Sequence, residues 1–294
     1  MKVGERIKEL RISKMMTQAD LAGDHITRNM LSCIENGSAN PSLSTILYLA
    51  GRLNVPAGFL LAEDGDEGIY RKLSNLSNIK RAYSAKDWQG CRSLCLSGCP
   101  EKDDEIRLLL ADCDAKIAAE EFHAGRLRSC CRFFDEALEY ADRTIYPTEA
   151  IKAEAVVFFR LMERVSPTLT SDILDFEEPL SLRSNSALAI YEEILSDADR
   201  GDLERVREQL KRLPEDSFYV IHVRGKLYMA EGNYAQAESL LRAALQSDTA
   251  LEPVFLWTVF GELENCCKEA ENFKDAYRFA NERIELLEKL LKEF

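Results

Sequence analysis

Apolar positions recur with a helical period along almost the whole chain, and the alternation expected of strands is nearly absent. The opening segment GERIKELRISKMM places Ile7 and Leu10 on one face of a helix. Thr17, with Asp20 three residues on, forms a capping-box signature before a short helix that carries Leu21 and Ala22. Gly23-Asp24-His25 breaks that helix, and the Thr27 hydroxyl is placed to cap the next one. In the second helix Leu31 and Ile34 turn inward, while Arg28, Asn29, Ser32 and Cys33 lie on the other side. Asn36-Gly37 supplies a left-handed stop. Further on, Leu43, Ile46, Leu47 and Ala50 take the i, i+3, i+4, i+7 spacing that predicts a buried stripe. Pro56 opens a last short turn ending at Phe59, Leu60 and Leu61. Five short helices within about sixty residues can just close a small core.

Two short helices joined by a tight turn, the second with an Arg- and Asn-bearing outer face, suit a recognition helix in the major groove. Arg28, Asn29, Ser32 and Cys33 are the candidates for base contact. Gln18, Thr27 and Asn36, at helix ends, are candidates for phosphate contact. Residues 4–61 resemble the XRE family, the Cro/phage-repressor type of DNA-binding domain. The resemblance is carried by Thr17-Gln18, Leu21-Ala22, Leu31-Ser32, Ile34-Glu35, Gly37, Asn40-Pro41-Ser42 and Leu43. It implies a five-helix, lambda-repressor-like head. The turn Gly23–Ile26 is one residue shorter than the family's usual form, which bears on the pitch of the recognition helix.

Charge divides the chain in the same place. Residues 1–61 carry a net +2 and the remainder a net −15. An acidic body is a poor nucleic-acid surface, so contact with an operator in double-stranded DNA is expected from the head alone. The run from Ala62 to Gly68 is acidic, contains glycine and lacks apolar periodicity, which predicts a linker at 62–68. Domains are therefore expected at 1–61 and 69–294.

The body is organised by a repeat. Its clearest copy is residues 219–248, where Gly225, Tyr228, Gly232, Tyr234, Ala237 and Ala244 fall at tetratricopeptide (TPR) offsets. Gly225 and Ala237 are small where paired helices approach, Gly232-Asn233 makes the turn, and the two tyrosines fill space between layers. Weaker copies align at Lys86-Asp87-Trp88, Gly125-Arg126-Leu127, Gly201-Asp202-Leu203 and Glu271-Asn272-Phe273. The spacings from Trp88 are 39, 76, 31 and 39 residues, and the longest hides one more unit around 147–175. An all-α fold follows, a helix-turn-helix head with a TPR-like α-solenoid whose first helices line a concave groove.

Head, linker and degenerate TPR body together resemble the peptide-responsive regulators of Gram-positive bacteria, the Rgg/PlcR/NprR-type (RRNPP) group. That resemblance implies a cytoplasmic, homodimeric transcription factor whose DNA binding is adjusted by a short signalling peptide, as in quorum sensing. In the group, asparagines on groove helices grip the peptide backbone. Asn265 falls at such an offset, and Lys226 takes the equivalent place one repeat earlier. His222 and Met229 also point inward by offset. The alternative is an interaction scaffold whose head only tethers it to DNA. A dimer contact is expected on apolar helix faces, either in the C-terminal IELLEKLL segment or between solenoids.

Nine cysteines raise another possibility. Cys91, Cys95 and Cys99 resemble a cluster-binding triplet, but the last spacing is one residue too long. Cys130-Cys131 and Cys266-Cys267 point in different directions on a helix, so the cysteines read as small apolar core residues. His25, His123 and His222 lack metal-ligand spacing. No G-x-S-x-G, phosphate-binding glycine loop or H-E-x-x-H occurs. Asp103-Asp104 and Glu177-Glu178 read as solvated helix ends. No enzyme, cofactor or metal is expected. Without a signal peptide or an apolar run of membrane-spanning length, the expected compartment is the reducing cytosol.

Overall fold

A computed structural model describes residues 2–62, 67–99, 102–169, 186–245 and 251–292. Among these residues there are sixteen α-helices and no strand. The chain divides into two compact units, Met1–Ile106 and Arg107–Phe294.

The first unit begins with the five short helices the sequence predicts: α1 (Val3–Ser13), α2 (Gln18–Ala22), α3 (Arg28–Glu35), α4 (Leu43–Leu53) and α5 (Ala57–Leu61). Ile7, Leu21, Leu31, Ile34, Leu49, Leu53 and Leu60 pack into one core. The register of α4 differs from expectation. Leu43 and Leu47 are 65% and 55% exposed, and the buried stripe is Thr45, Ile46, Leu49, Ala50 and Leu53. Two candidate stripes run along this apolar helix, and the core touches only one side of it. Leu10 is half-buried, and Leu61 is exposed where α5 ends.

Arg6 is buried in this core and closes it covalently distant from α5. Its Nη1 donates to the carbonyls of Leu60 (3.3 Å) and Ala62 (2.6 Å), satisfying the buried C-terminal end of α5. After residues 63–66, which lie outside the described residues together with Gly65, α6 (Glu67–Ser84) is followed by α7 (Trp88–Gly98). Gly68 is thus helical and not part of a linker, because the apolar period of α6 reaches back through Ile69 and Tyr70. The Tyr70 ring meets Phe59 edge-on at 6.4 Å.

The second unit takes most of α8 (Asp104–His123) with α9 (Leu127–Ala141), α10 (Glu149–Val165), α11 (Ala187–Asp199), α12 (Leu203–Leu210), α13 (Phe218–Ala230), α14 (Tyr234–Leu245), α15 (Pro253–Glu269) and α16 (Phe273–Leu290). All five predicted repeat turns fall between paired helices and share one geometry. Lys86, Gly125, Gly201, Gly232 and Glu271 have φ of 57°, 75°, 80°, 76° and 55°. The next residue's N–H bonds in each case to a carbonyl five residues back, as in a Schellman stop. That next residue then caps the second helix through its side chain at Asp87, Asp202, Asn233 and Asn272. Arg126 lacks such a cap and instead grips Glu121 through two bonds of 2.6 Å. Gly225 leaves room for Leu241, which an added Cβ would meet at 3.1 Å. Where the hidden unit is expected, around 147–175, the structure shows α10, while residues 170–185, Glu177-Glu178 among them, lie outside the described residues.

The first and last helix pairs of this unit touch. Gly125 lies against Pro253 and Leu290, and Arg128 Nε donates to the Leu291 carbonyl at 2.7 Å. His123 Nδ1 sits 2.8 Å from Glu252 Oε2, a hydrogen bond that raises the imidazole pKa above its ordinary value. Phe122, Phe158 and Phe255 meet beneath this contact.

Candidate DNA-reading helix and ligand groove

Helix α3 is set by its caps and by one buried carboxylate. The Thr17 hydroxyl accepts from Asp20 N while Asp20 returns a bond to Thr17 N, which starts α2 as predicted. The Thr27 hydroxyl accepts from Met30 N at 3.1 Å and starts α3. Gly37, at φ 72°, ends it. The turn between α2 and α3 is pinned by Tyr48, which donates to the Ala22 carbonyl and stacks on His25 at 4.3 Å.

Glu35, on the inner side of α3, fixes the helix to its neighbours. Arg11 from α1 makes a two-pronged bond to it, Nε–Oε1 2.6 Å and Nη2–Oε2 3.0 Å. Gln18 from α2 donates to Oε2 at 2.9 Å. Burial by itself raises the Glu35 pKa, but the bonds from Arg11 and Gln18 and the Arg11 charge outweigh it and hold the carboxyl below its ordinary range. Gln18 therefore works inside the head, and Thr27 has spent its hydroxyl as a cap.

Leu31 and Ile34 are buried, while Arg28, Asn29 and Cys33 are exposed and Ser32 is half-buried. Asn36 is exposed at the helix end. The predicted reading face is thus a contiguous polar surface on a rigidly held helix. The position of α3 also depends on Gly4, where an added Cβ would lie 1.9 Å from the Ile34 carbonyl. Gly4→Ala must push α1 and α3 apart, so it is expected to weaken DNA binding at least tenfold and to lower the melting temperature of the head. Unchanged values for both in titration and calorimetry would refute this close contact.

In the second unit Leu161 and Arg164 on α10, Tyr191 and Leu195 on α11, His222 and Lys226 on α13 and Thr258 on α15 come together, with Glu262 beside His222 and Lys226. A cavity of about 180 Å³ opens among α10, α11, α13 and α15. A second of about 200 Å³ lies among α11, α12 and α13. Lys226 and Leu195 line both.

Of the four predicted ligand residues, Lys226 lines both cavities and Met229 the second, while Asn265 is exposed one turn beyond Glu262. His222 differs from expectation. It is fully buried, with Nδ1 2.8 Å from the Tyr191 hydroxyl and Nε2 2.8 Å from Glu262 Oε2. Lys226 Nζ completes this chain at 3.2 Å from Glu262 Oε1. Burial raises the Glu262 pKa, yet the His222 and Lys226 charges prevail and lower it. His222 is thus a floor group, hydrogen-bonded through Nδ1 to Tyr191 and with Nε2 in close approach to the Glu262 carboxylate. Sequence offsets did not single out Arg160 and Arg164, which flank buried Glu192 at 3.5 and 3.9 Å.

Seven of the nine cysteines are buried core residues, while Cys33 is exposed and Cys131 half-buried; Cys266 and Cys267 are both buried where a divergence was expected. Burial pushes Cys130 well above the ordinary thiol range, and Cys131 and Cys266 up to about 12. Cys91, Cys95 and Cys99 are buried, and no metal-holding group of His, Cys, Asp or Glu occurs among the described residues. Asp103 is not a merely solvated acid, since it pairs with Lys72 at 2.6 Å and caps Ile106. No described helix is long and apolar enough to cross a membrane.

A capped, locked α3 with an outward polar face defines a helix-turn-helix DNA-binding regulator. The helix-turn-helix family matches residues 7–60. Over 116 residues the chain is 30% identical to the immunity repressor protein of Bacillus phage phi105, a match covering 37% of this chain and 81% of that repressor. The chain belongs to the XRE-type helix-turn-helix family of DNA-binding regulators. Similar solved structures include Bacillus thuringiensis PlcR in complex with the peptide PapR7 and DNA, 14% identical with a TM-score of 0.23. Another is the apo form of ComR from S. Thermophilus, 19% identical with a TM-score of 0.32. In both cases 98% of this chain and 96% of the other are covered.

Proposed function

We propose that this regulator reads a specific operator through α3 as a homodimer, and that a short peptide in the groove of the second unit adjusts its DNA binding. The observation that carries the DNA reading is the exposed Arg28 and Asn29 pair at the start of a helix whose opposite side is locked by Glu35. Arg28 suits guanine, Asn29 adenine, and Ser32 and Cys33 extend the same face. Gln18, Thr27 and Asn36 surround it at helix ends and are assigned to phosphates, Gln18 and Thr27 through main-chain groups because their side chains are engaged.

One head covers one half-site, so two are needed for specificity. The outer face of α16 offers Phe273, Tyr277 and Ile284, each more than half exposed, as an apolar contact for a second copy. The peptide reading is supported by the two adjoining cavities, with Lys226 in both, Met229 in one and buried His222 in the other, and Asn265 is assigned to the same ligand from its exposed place on α15. A peptide changes DNA affinity only if it favours one arrangement of the two heads over another.

Arg28→Ala is expected to weaken binding to the selected operator about tenfold to a hundredfold at fixed salt, and to relax the choice at one base pair. Selection from randomised duplexes followed by gel shift checks this. An unchanged affinity and an unchanged selected sequence would remove α3 as the reading helix.

A further inference from the structure

We infer that the groove takes an extended peptide by seating two bulky apolar side chains in its two cavities, astride Lys226, whose ammonium donates to a main-chain carbonyl between them. The inference rests on the peptide reading above and specifies the ligand. Ligand pockets for whole small molecules run to about 300–1,000 Å³. At about 180 and 200 Å³, each cavity is below that range. Each therefore fits one side chain of a longer ligand. Both linings are mostly apolar, with Val206 and Val223 in one and Leu161 and Phe255 in the other. Apolar groups of the ligand belong there.

Leu195 and Lys226 form a wall common to the two cavities, so their contents are separated by about one side chain. In an extended chain, residues two or three apart lie about 7–10 Å from each other, which spans such a wall. An ammonium has three donors. Glu262 takes one at 3.2 Å, and the side chain retains 29% exposure. The remaining donors are free for a peptide carbonyl, which needs a partner once a bound ligand takes it out of water. Glu262, itself paired with His222, holds the ammonium in place from below.

The test uses the full-length protein and a pool of short randomised linear peptides, with retained peptides identified by mass spectrometry. The native chain is expected to enrich peptides with two bulky apolar residues two or three positions apart. Ala198→Phe, filling one cavity, and Thr258→Phe, filling the other, should each abolish the preference at one of those positions. Each should also weaken the best native binder at least tenfold. Lys226→Met should weaken it about tenfold with both preferences intact. Melting temperatures identify any variant that fails to fold, and the two cavity-filling variants test the inference without Lys226→Met. Enriched peptides that bind all three variants as tightly as the native chain would overturn the two-cavity arrangement while leaving peptide binding standing. Enrichment of no peptide by the native chain would overturn peptide binding itself, and this inference with it.

Discussion

Glu35→Ala is expected to leave the head largely unfolded at neutral pH and to abolish operator binding. At this carboxylate α1, α2 and α3 meet, with charged Arg11 and the Gln18 amide both donating to it. Its side chain is 1% exposed and that of Arg11 12%. Removing one member of a buried pair strands the other and costs about 3–5 kcal/mol. A core of this size supplies about 3–5 kcal/mol in all, so the loss consumes most of the head's stability. Hydrogen exchange of the α3 amides measures the effect directly. Native-like protection of those amides in the variant would show that Glu35 does not hold the helix.

The same group sets an acid limit. Because the folded-state pKa of Glu35 lies below its unfolded value, its contribution is complete above the unfolded value and is lost as pH falls through the folded one. The head should therefore loosen on acidification, and Glu35→Gln should flatten that part of the pH profile while lowering stability at neutral pH.

The sequence made the turns of the repeat legible because their chemistry is local. Gly125, Gly201 and Gly232 sit where φ is positive, and Asp or Asn follows four of the five turn residues as a cap. Lys86 and Glu271 take the same conformation without glycine, and only their alignment with the other turns exposed them. In the head the two caps at Thr17 and Thr27 were equally local, and they fixed the start of the reading helix. The face of α4 was not legible, because Leu43, Ile46, Leu47, Leu49 and Leu53 satisfy two stripes. Choosing between them requires knowing where α1 and α5 pack. The role of His222 failed for a related reason. Its offset correctly placed it on the inner side of α13, but its partners Tyr191 and Glu262 come from neighbouring repeats. Periodicity gives direction from a helix axis, not what is met there. Arg6 and Gly4 carry no local signal at all, since the atoms they serve are on α5 and α3.

His222→Leu is expected to destabilise the second unit by about 2–4 kcal/mol, with a matching fall in its melting temperature. Leucine nearly conserves the volume, so the cost is polar. The buried Tyr191 hydroxyl loses its partner, and Glu262 keeps only Lys226 as a counter-charge. Burial then gains on the remaining attraction, and the Glu262 pKa should rise in the variant, so that its stability deficit narrows toward acid pH. Adding Glu262→Leu provides the decisive comparison. The double variant removes the stranded carboxylate, and Lys226, with 29% of its side chain exposed, can turn its ammonium to water. The double variant should accordingly be more stable than His222→Leu alone, although it carries one more substitution. Chemical denaturation of the four species of this cycle gives the coupling directly. Additive losses, with the double variant the least stable, would show that His222 and Glu262 contribute independently and that no connected polar floor underlies the groove.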